Sequence, residues 1–179
     1  LCIPPVLVPT VRRHFSELQV SVVIGYPLGL ETTASKIFSI QEALEYEVAE
    51  FDVVLDLFSI KIKAERKLHD DIQRLISATG GLAKSIKAIV EAPILTNDEL
   101  AWVCDICAYY ELGFVKTSTG YNRPASTVEQ VKIMHQTVGS NCKVKASGGI
   151  KSYLQALEFI NAGADVIGTS SGVQIVQEE

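Results

Sequence analysis

The sequence lacks two features that would each define a broad class of protein. It has no apolar run near the roughly 18 residues that a membrane-spanning helix needs. It also has no excess of basic residues, since 16 Lys and Arg stand against 21 Asp and Glu and give a net charge of −5. A nucleic acid calls for a basic face, so we expect neither a membrane protein nor a protein whose main partner is nucleic acid.

A signal peptide and a disulfide framework are missing as well. Residues 1–15 contain three prolines and no basic segment ahead of an apolar one, which is unlike a signal peptide. The chain has only four cysteines, so we expect reduced thiols and a cytoplasmic location. Cys104 and Cys107 have C-x-x-C spacing inside an apolar-periodic stretch, which predicts core residues of a helix, with a metal or redox site as the alternative.

What the sequence does have is a regular alternation of short apolar runs with amphipathic segments. Runs such as 20–27, 51–57 and 114–119 are rich in β-branched residues and predict strands, and helical periodicity follows each of them. Capping boxes at Thr96–Glu99 and Ser126–Glu129 predict the starts of two of the helices.

The alternation amounts to seven strand–helix units in 179 residues, which implies a parallel sheet with helices outside it. A doubly wound sheet and a barrel both fit, and the compact units favour the barrel. The chain opens at Leu1, inside an apolar phrase and without an initiator methionine. We therefore predict an α/β fold of the TIM (β/α)8-barrel type whose first βα unit is missing, in one domain that spans residues 1–179 and is incomplete at its N-terminus.

Charged residues occur inside the predicted strands. The strands of a parallel barrel are covered on both faces, so Lys87, Lys116 and Lys145 are expected to point into the barrel interior. Asp52 and Glu91 should join them there, because buried charges are costly unless they pair. Such a cluster is either a structural network of salt bridges or a reactive site at the C-terminal ends of the strands.

The functional interpretation of this cluster uses two neighbouring amines. An amine beside another cation has its ammonium form disfavoured, and a neutral amine attacks carbonyls to form a Schiff base. Lys116 and Lys145 lie on successive predicted strands, so one could be the nucleophile and the other could activate it. Asp52 could then move protons on the carbon next to the imine.

Glycine- and hydroxyl-rich turns follow the last two predicted strands, at residues 147–150 and 168–172. Small residues before a helix expose backbone N–H groups, and barrels often bind phosphate in the loops after strands seven and eight. The pair therefore predicts a phosphate site, although each turn alone is more typical of a plain tight turn.

At this point the chain resembles a known family. The segments FVKTSTGY (114–121), VKASGGI (144–150) and GADVIGTSSG (163–172) are similar, in that order, to those of deoxyribose-phosphate aldolases. Upstream, VVIGYPLG and EFDVVLDL resemble the earlier strands of the same family. The resemblance covers almost the whole chain.

The resemblance implies a class I aldolase, a carbon–carbon lyase of deoxyribonucleotide catabolism that needs no cofactor and no metal. It would reversibly cleave 2-deoxy-D-ribose 5-phosphate, a small sugar phosphate, to acetaldehyde and D-glyceraldehyde 3-phosphate. It would be a homo-oligomer, a dimer or a tetramer. Lys116 would form the Schiff base, Lys145 would perturb it and Asp52 would transfer protons. The implied substrate- and phosphate-binding residues are Lys87, Thr119, Gly120, Gly148, Gly149, Ser170, Ser171 and Cys2.

Two alternatives remain at the level of the sequence. One is a phosphate-binding barrel isomerase or lyase in which Asp52 or Glu91 is the base and Lys116 acts only by its charge. The other is a truncated, catalytically inactive barrel that binds a sugar phosphate. Tyr121 stands where some members of the family have a basic residue, so we expect phosphate binding to depend mainly on backbone N–H groups and serines.

Overall fold

The computed structural model describes residues 1–121 and 124–178. In these residues one parallel sheet contains all seven predicted strands, and each strand pairs with the next along the chain. The strands are β1 (Cys2–Ile3), β2 (Ser21–Ile24), β3 (Glu50–Val54), β4 (Ile86–Ile89), β5 (Phe114–Lys116), β6 (Lys143–Ser147) and β7 (Val166–Gly168).

Helices connect the strands, as the alternation predicted. They are α1 (Val8–His14), α2 (Thr33–Leu44), α3 (Leu57–Lys61), α4 (Glu65–Ala78), α5 (Asn97–Tyr109), α6 (Val128–Val138), α7 (Tyr153–Asn161) and α8 (Gly172–Gln177). The short α3 was not predicted from the sequence. It begins because Asp56 caps it, with a carboxylate oxygen that accepts from the backbone N–H groups of Phe58 and Ser59.

The sheet is strongly curled. Seven strands laid flat would place the two edge strands almost 30 Å apart, at about 4.8 Å per strand. Instead, Cys2 and Ile3 of β1 line the same cavity as Gly168 of β7. The two edges therefore approach each other around a common interior, which is the geometry expected of a (β/α)8-type barrel.

Alternation along each strand separates the two faces of the curled sheet. Val53, Ala88, Val115 and Val144 are each 0 % exposed and belong to the hydrophobic core. They alternate with the charged residues that point inward, so the sheet has no solvated face and a lysine inside a strand must find partners in the interior.

The predicted capping box of α5 is confirmed. The hydroxyl of Thr96 accepts from the backbone N–H of Glu99 at 3.2 Å, and the Glu99 carboxylate accepts from the backbone N–H of Thr96 at 2.8 Å. The two bonds satisfy donors that the first turn of a helix otherwise leaves free.

The predicted capping box of α6 is wrong by one residue. Thr127 and Gln130 form the box, in place of Ser126 and Glu129. Ser126 is buried, and its hydroxyl donates to the backbone oxygen of Ser147 at 2.7 Å. Both serine and threonine are good capping residues, so spacing alone could not decide between two adjacent candidates.

Cys104 and Cys107 are free thiols in the interior of α5, fully buried in the core, as predicted. Burial is the largest cause that raises the pKa of each thiol well above its usual value. In the part of the chain that the structure describes, no helix is both long and apolar enough to cross a membrane.

The α5 cap leads to a stability prediction. Thr96→Ala should lower the free energy of unfolding by about 1 kcal/mol, because it removes the hydroxyl that accepts from the backbone N–H of Glu99. Thr96→Ser, which keeps the hydroxyl, should stay close to the parent. Urea denaturation measures both variants, and equal unfolding free energies for Thr96→Ala and the parent would contradict the assignment.

Candidate active site

Asp52 forms the centre of the site. It lies on β3 and is 0 % exposed. Its Oδ2 accepts from the Nζ of Lys116 at 2.8 Å and from the Nζ of Lys145 at 2.7 Å. Lys116 and Lys145 are paired in register on β5 and β6. The two amines therefore lie on the same side of the sheet and share a single carboxylate oxygen.

The second oxygen of Asp52 is also occupied. Oδ1 accepts from the hydroxyl of Ser21 at 2.6 Å and lies 3.4 Å from the Nζ of Lys87. Lys87 also donates to Glu50 at 2.7 Å and to Ser21 at 3.1 Å. Partners on both oxygens fix the orientation of the carboxylate, and this carboxylate in turn holds the amines of Lys116 and Lys145 in position.

The structure places Lys87 differently from the prediction that it binds substrate. Lys87 pairs in register with Asp52, whereas Lys116 pairs with Ile89, two residues further along β4. Lys87 therefore lies level with Asp52 and two residues below Lys116 and Lys145, toward the N-terminal ends of the strands, and it is not among the described residues that line the cavity. Its contacts hold Asp52 in place instead.

Asp52 is ionised in this environment. Burial alone would raise the pKa of Asp52, but the charges and hydrogen bonds of Lys116 and Lys145 hold the pKa of Asp52 well below its usual range. Asp52 is therefore the counter-charge that both amines share.

A cavity of about 500 Å³ opens above the two amines. Lys116 and Lys145 form its floor, while Asp52 lies behind them and does not line it. Six of the residues predicted to bind substrate or phosphate line this cavity: Cys2, Thr119, Gly120, Gly148, Gly149 and Ser170.

Ser171, a further predicted binding residue, directly follows the cavity-lining Ser170. It is not among the described lining residues. Its backbone N–H donates to the hydroxyl of Thr169 at 2.9 Å, and α8 begins at the next residue. Ser170 and Thr169 line the cavity at this strand end instead.

Cys2 lies on the wall formed by β1. Burial is the largest cause that raises the pKa of this thiol, followed by the negative charge of Asp52, while Lys116 and Lys145 act in the opposite direction. Cys2 therefore lies close to the charged centre, and its proximity to the substrate stays a prediction.

Sequence reasoning missed Lys151, a cavity-lining lysine. It is exposed and follows the Gly148–Gly149 turn by two residues. A cation directly after a glycine turn was the available signal. Lys151 therefore adds a positive charge at this end of the cavity to the backbone N–H groups and serines that were predicted to bind phosphate.

Tyr26 is another cavity-lining residue that the sequence did not identify. It lies in a turn, where the sequence predicted only the end of a strand. Its hydroxyl donates to the backbone oxygen of Thr119 at 3.3 Å. Buried Lys36 supports this turn, donating to the backbone oxygens of Gly29 at 3.1 Å and Val54 at 2.7 Å. The aromatic ring is thereby held at the mouth of the cavity.

Glu91, the alternative base, is 0 % exposed and is not among the described residues lining the cavity. Its Oε2 accepts from the backbone N–H of Thr119 at 3.2 Å. The residue therefore supports the turn after β5. In residues 1–121 and 124–178, no group of three or more His, Cys, Asp or Glu side chains is arranged to hold a metal ion.

The curled parallel sheet, with paired lysines at the floor of a cavity beyond the strand ends, defines a barrel enzyme with a lysine-based site. No family model matches the chain. The deoxyribose-phosphate aldolase of Mannheimia succiniciproducens is 41 % identical over 179 residues, covering 99 % of this chain and 79 % of the relative. That of Dictyoglomus turgidum is 39 % identical over 178 residues, covering 98 % and 80 %. The chain belongs to the deoxyribose-phosphate aldolase family.

Solved structures agree with this assignment. An aldolase designated QR15 superposes with a TM-score of 0.92 at 34 % identity, covering 99 % of this chain and 79 % of that one. The deoxyribose phosphate aldolase from Aeropyrum pernix, described as tetrameric, superposes with a TM-score of 0.87 at 28 % identity, covering 98 % and 75 %. The predicted barrel-type fold is confirmed.

The charge on Asp52 predicts a pH dependence of stability. A carboxyl whose pKa is lowered on folding adds stability above its unfolded pKa of about 3.9, and this stability is lost as the pH falls through the folded pKa. The free energy of unfolding should therefore fall as the pH drops below about 5. Asp52→Asn should be less stable at pH 7 by roughly 3 kcal/mol, because two ammonium groups lose their counter-charge.

Urea denaturation between pH 7 and pH 3 checks both parts of this prediction. Asp56, whose pKa is lowered to about 2, contributes the same background in both proteins. If the parent and Asp52→Asn have the same free energy of unfolding at pH 7, and if this free energy falls equally in both below pH 5, Asp52 is not the charged centre.

Proposed function

We propose that the chain is a class I aldolase that reversibly cleaves 2-deoxy-D-ribose 5-phosphate into acetaldehyde and D-glyceraldehyde 3-phosphate through a Schiff base on Lys116. One observation carries the proposal: the amines of Lys116 and Lys145 share Asp52 Oδ2 at the floor of the cavity. Membership of the aldolase family supports the choice of substrate.

The sharing of one oxygen suggests how Lys116 becomes a nucleophile. Asp52 remains compensated by the ammonium of Lys145 when Lys116 gives up its proton and turns toward the substrate. Lys145 can therefore stay charged while Lys116 is neutral. Lys116 thus forms the covalent bond, while the ammonium of Lys145 balances the charge of Asp52.

The reaction begins with the open-chain aldehyde of the sugar. The nitrogen of Lys116 adds to the aldehyde carbon, and loss of water gives the imine. Removal of the proton from the C3 hydroxyl then breaks the C2–C3 bond, and its electron pair moves into the protonated imine. D-glyceraldehyde 3-phosphate leaves, the enamine takes up a proton at C2, and hydrolysis of the imine releases acetaldehyde.

Proton transfer in this scheme passes through Lys145. Asp52 is fully buried behind the two amines, so we do not propose that it contacts a substrate carbon directly. Lys145 lines the cavity and donates to Asp52 at 2.7 Å. As the ammonium, Lys145 donates a proton to the water that leaves when the imine forms. The resulting neutral amine then accepts the proton of the C3 hydroxyl and later returns it to C2 of the enamine.

The phosphate end of the substrate fits the wall formed by the turns after β5, β6 and β7. This wall carries Gly120, Gly148, Gly149, Ser170 and the cation of Lys151. Backbone and hydroxyl donors beside a positive charge suit a phosphate monoester. Cys2 and Tyr26 also line the cavity, and we assign them to the carbon chain of the substrate.

We also propose a cytoplasmic homo-oligomer, a dimer or a tetramer. The free thiols of the four cysteines support a reducing compartment. The tetrameric relative from Aeropyrum pernix supports self-association.

A cleavage assay with deoxyribose 5-phosphate tests the function. Lys116→Arg keeps the charge but removes the nucleophile, so turnover should fall by at least roughly 10³-fold. Lys143→Ala changes an exposed lysine on the same strand as Lys145 and should leave turnover within about twofold. A Lys116→Arg variant with near-parent turnover would fit a purely electrostatic role and would exclude the Schiff-base route.

A further inference from the structure

Four hydroxyl side chains are buried together where β5 and β6 end. Thr117 and Ser118 follow Lys116, Ser147 ends β6, and Ser126 comes from the residues just before α6. Their exposures are 0 %, 1 %, 5 % and 8 % respectively. The Schiff-base chemistry does not use this hydroxyl cluster, and none but Ser147 lines the cavity.

Three of the hydroxyls converge on one acceptor, the backbone oxygen of Ser147. The distances are 2.8 Å from Thr117, 2.8 Å from Ser118 and 2.7 Å from Ser126. A carbonyl oxygen has two lone pairs, so the third hydroxyl needs another acceptor. Ser126 has one, because its oxygen lies 3.2 Å from that of Ser118.

Further bonds tie the ends of the two strands together. The hydroxyl of Ser147 donates to the backbone oxygen of Ser118 at 2.6 Å, and the backbone N–H of Ser147 donates to the hydroxyl of Thr117 at 2.9 Å. The backbone N–H of Gly120 donates to the hydroxyl of Ser118 at 3.3 Å. A satisfied polar network of this kind rigidifies the segments that it joins.

The hydroxyl cluster also packs directly against the glycine turns. Gly148 has a φ of +95°, and a Cβ there would lie 2.3 Å from the Ser118 hydroxyl and 3.4 Å from that of Ser126. A Cβ on Gly120 would lie 3.6 Å from the Cα of Gly148. The hydroxyls therefore set the spacing of the two glycine turns that line the cavity.

We propose that Ser126 is a positioning residue for phosphate, which holds Gly120 and Gly148 at the spacing that the phosphate group requires. The identity of the ligand rests on the proposed function. Ser126 is the member of the cluster that comes from outside the two strand ends, so it fixes the residues directly before α6 against β6. It acts through the turns, because its own side chain does not line the cavity.

Ser126→Ala and Thr127→Ala form a matched pair of adjacent substitutions. Ser126→Ala removes a buried hydrogen bond from the cluster and should weaken binding of inorganic phosphate by about fivefold. It should raise KM for deoxyribose 5-phosphate by a similar factor, with kcat and the KM for unphosphorylated 2-deoxyribose unchanged. Thr127→Ala removes the cap of α6, so it should lower the melting temperature but leave phosphate binding unchanged.

Calorimetric titration with inorganic phosphate and steady-state kinetics with the two sugars decide the proposal. It is overturned if the parent does not bind phosphate, if Ser126→Ala binds it as the parent does, or if KM rises equally for both sugars. Equal losses of phosphate affinity in the two variants also overturn it, because general loosening of the loop would explain both. A parent that binds phosphate but does not cleave deoxyribose 5-phosphate contradicts the aldolase function, while the titration still decides the role of Ser126.

Discussion

The site depends on one carboxylate oxygen that two lysine amines share. Lys116 and Lys145 are each less than 10 % exposed, and burial of an unpaired ammonium in such a place would be prohibitive. Asp52 removes that cost, but only because the sheet curls far enough for β3 to face β5 and β6. The curl of the sheet therefore allows both amines to be buried beside one carboxylate and to reach the same cavity.

The same arrangement explains why the two lysines can have different roles. Each amine alone is sufficient to compensate Asp52, so one can remain charged while the other reacts. Ser21 and Lys87 hold the other carboxylate oxygen, which keeps Asp52 in position during that exchange. The hydroxyl cluster at the ends of β5 and β6 then places the glycine turns relative to the amines.

Much of this could be predicted from the sequence, because it depends on local periodicity. The strand–helix alternation identified the seven strands, and the two covered faces of a parallel sheet required Lys116 and Lys145 to point inward. Lys87 was predicted to point inward for the same reason, and the family resemblance assigned it to the substrate. Its height in the barrel depends on register, which periodicity does not encode. Ser126 was predicted to cap a helix, and Tyr26 was not predicted at all. Each forms its hydrogen bond with a residue that is distant in sequence, Ser147 and Thr119 respectively.

Reductive trapping tests the central claim most directly, because it asks which of the two amines forms the covalent bond. The protein is treated with acetaldehyde and borohydride, digested, and its lysine-containing peptides are mapped by mass spectrometry. The arrangement around Asp52 predicts an ethyl group on Lys116, its absence from Lys145, and no adduct in Lys116→Ala. An adduct on Lys145 in the parent protein, or active enzyme that cannot be trapped at all, would contradict the account.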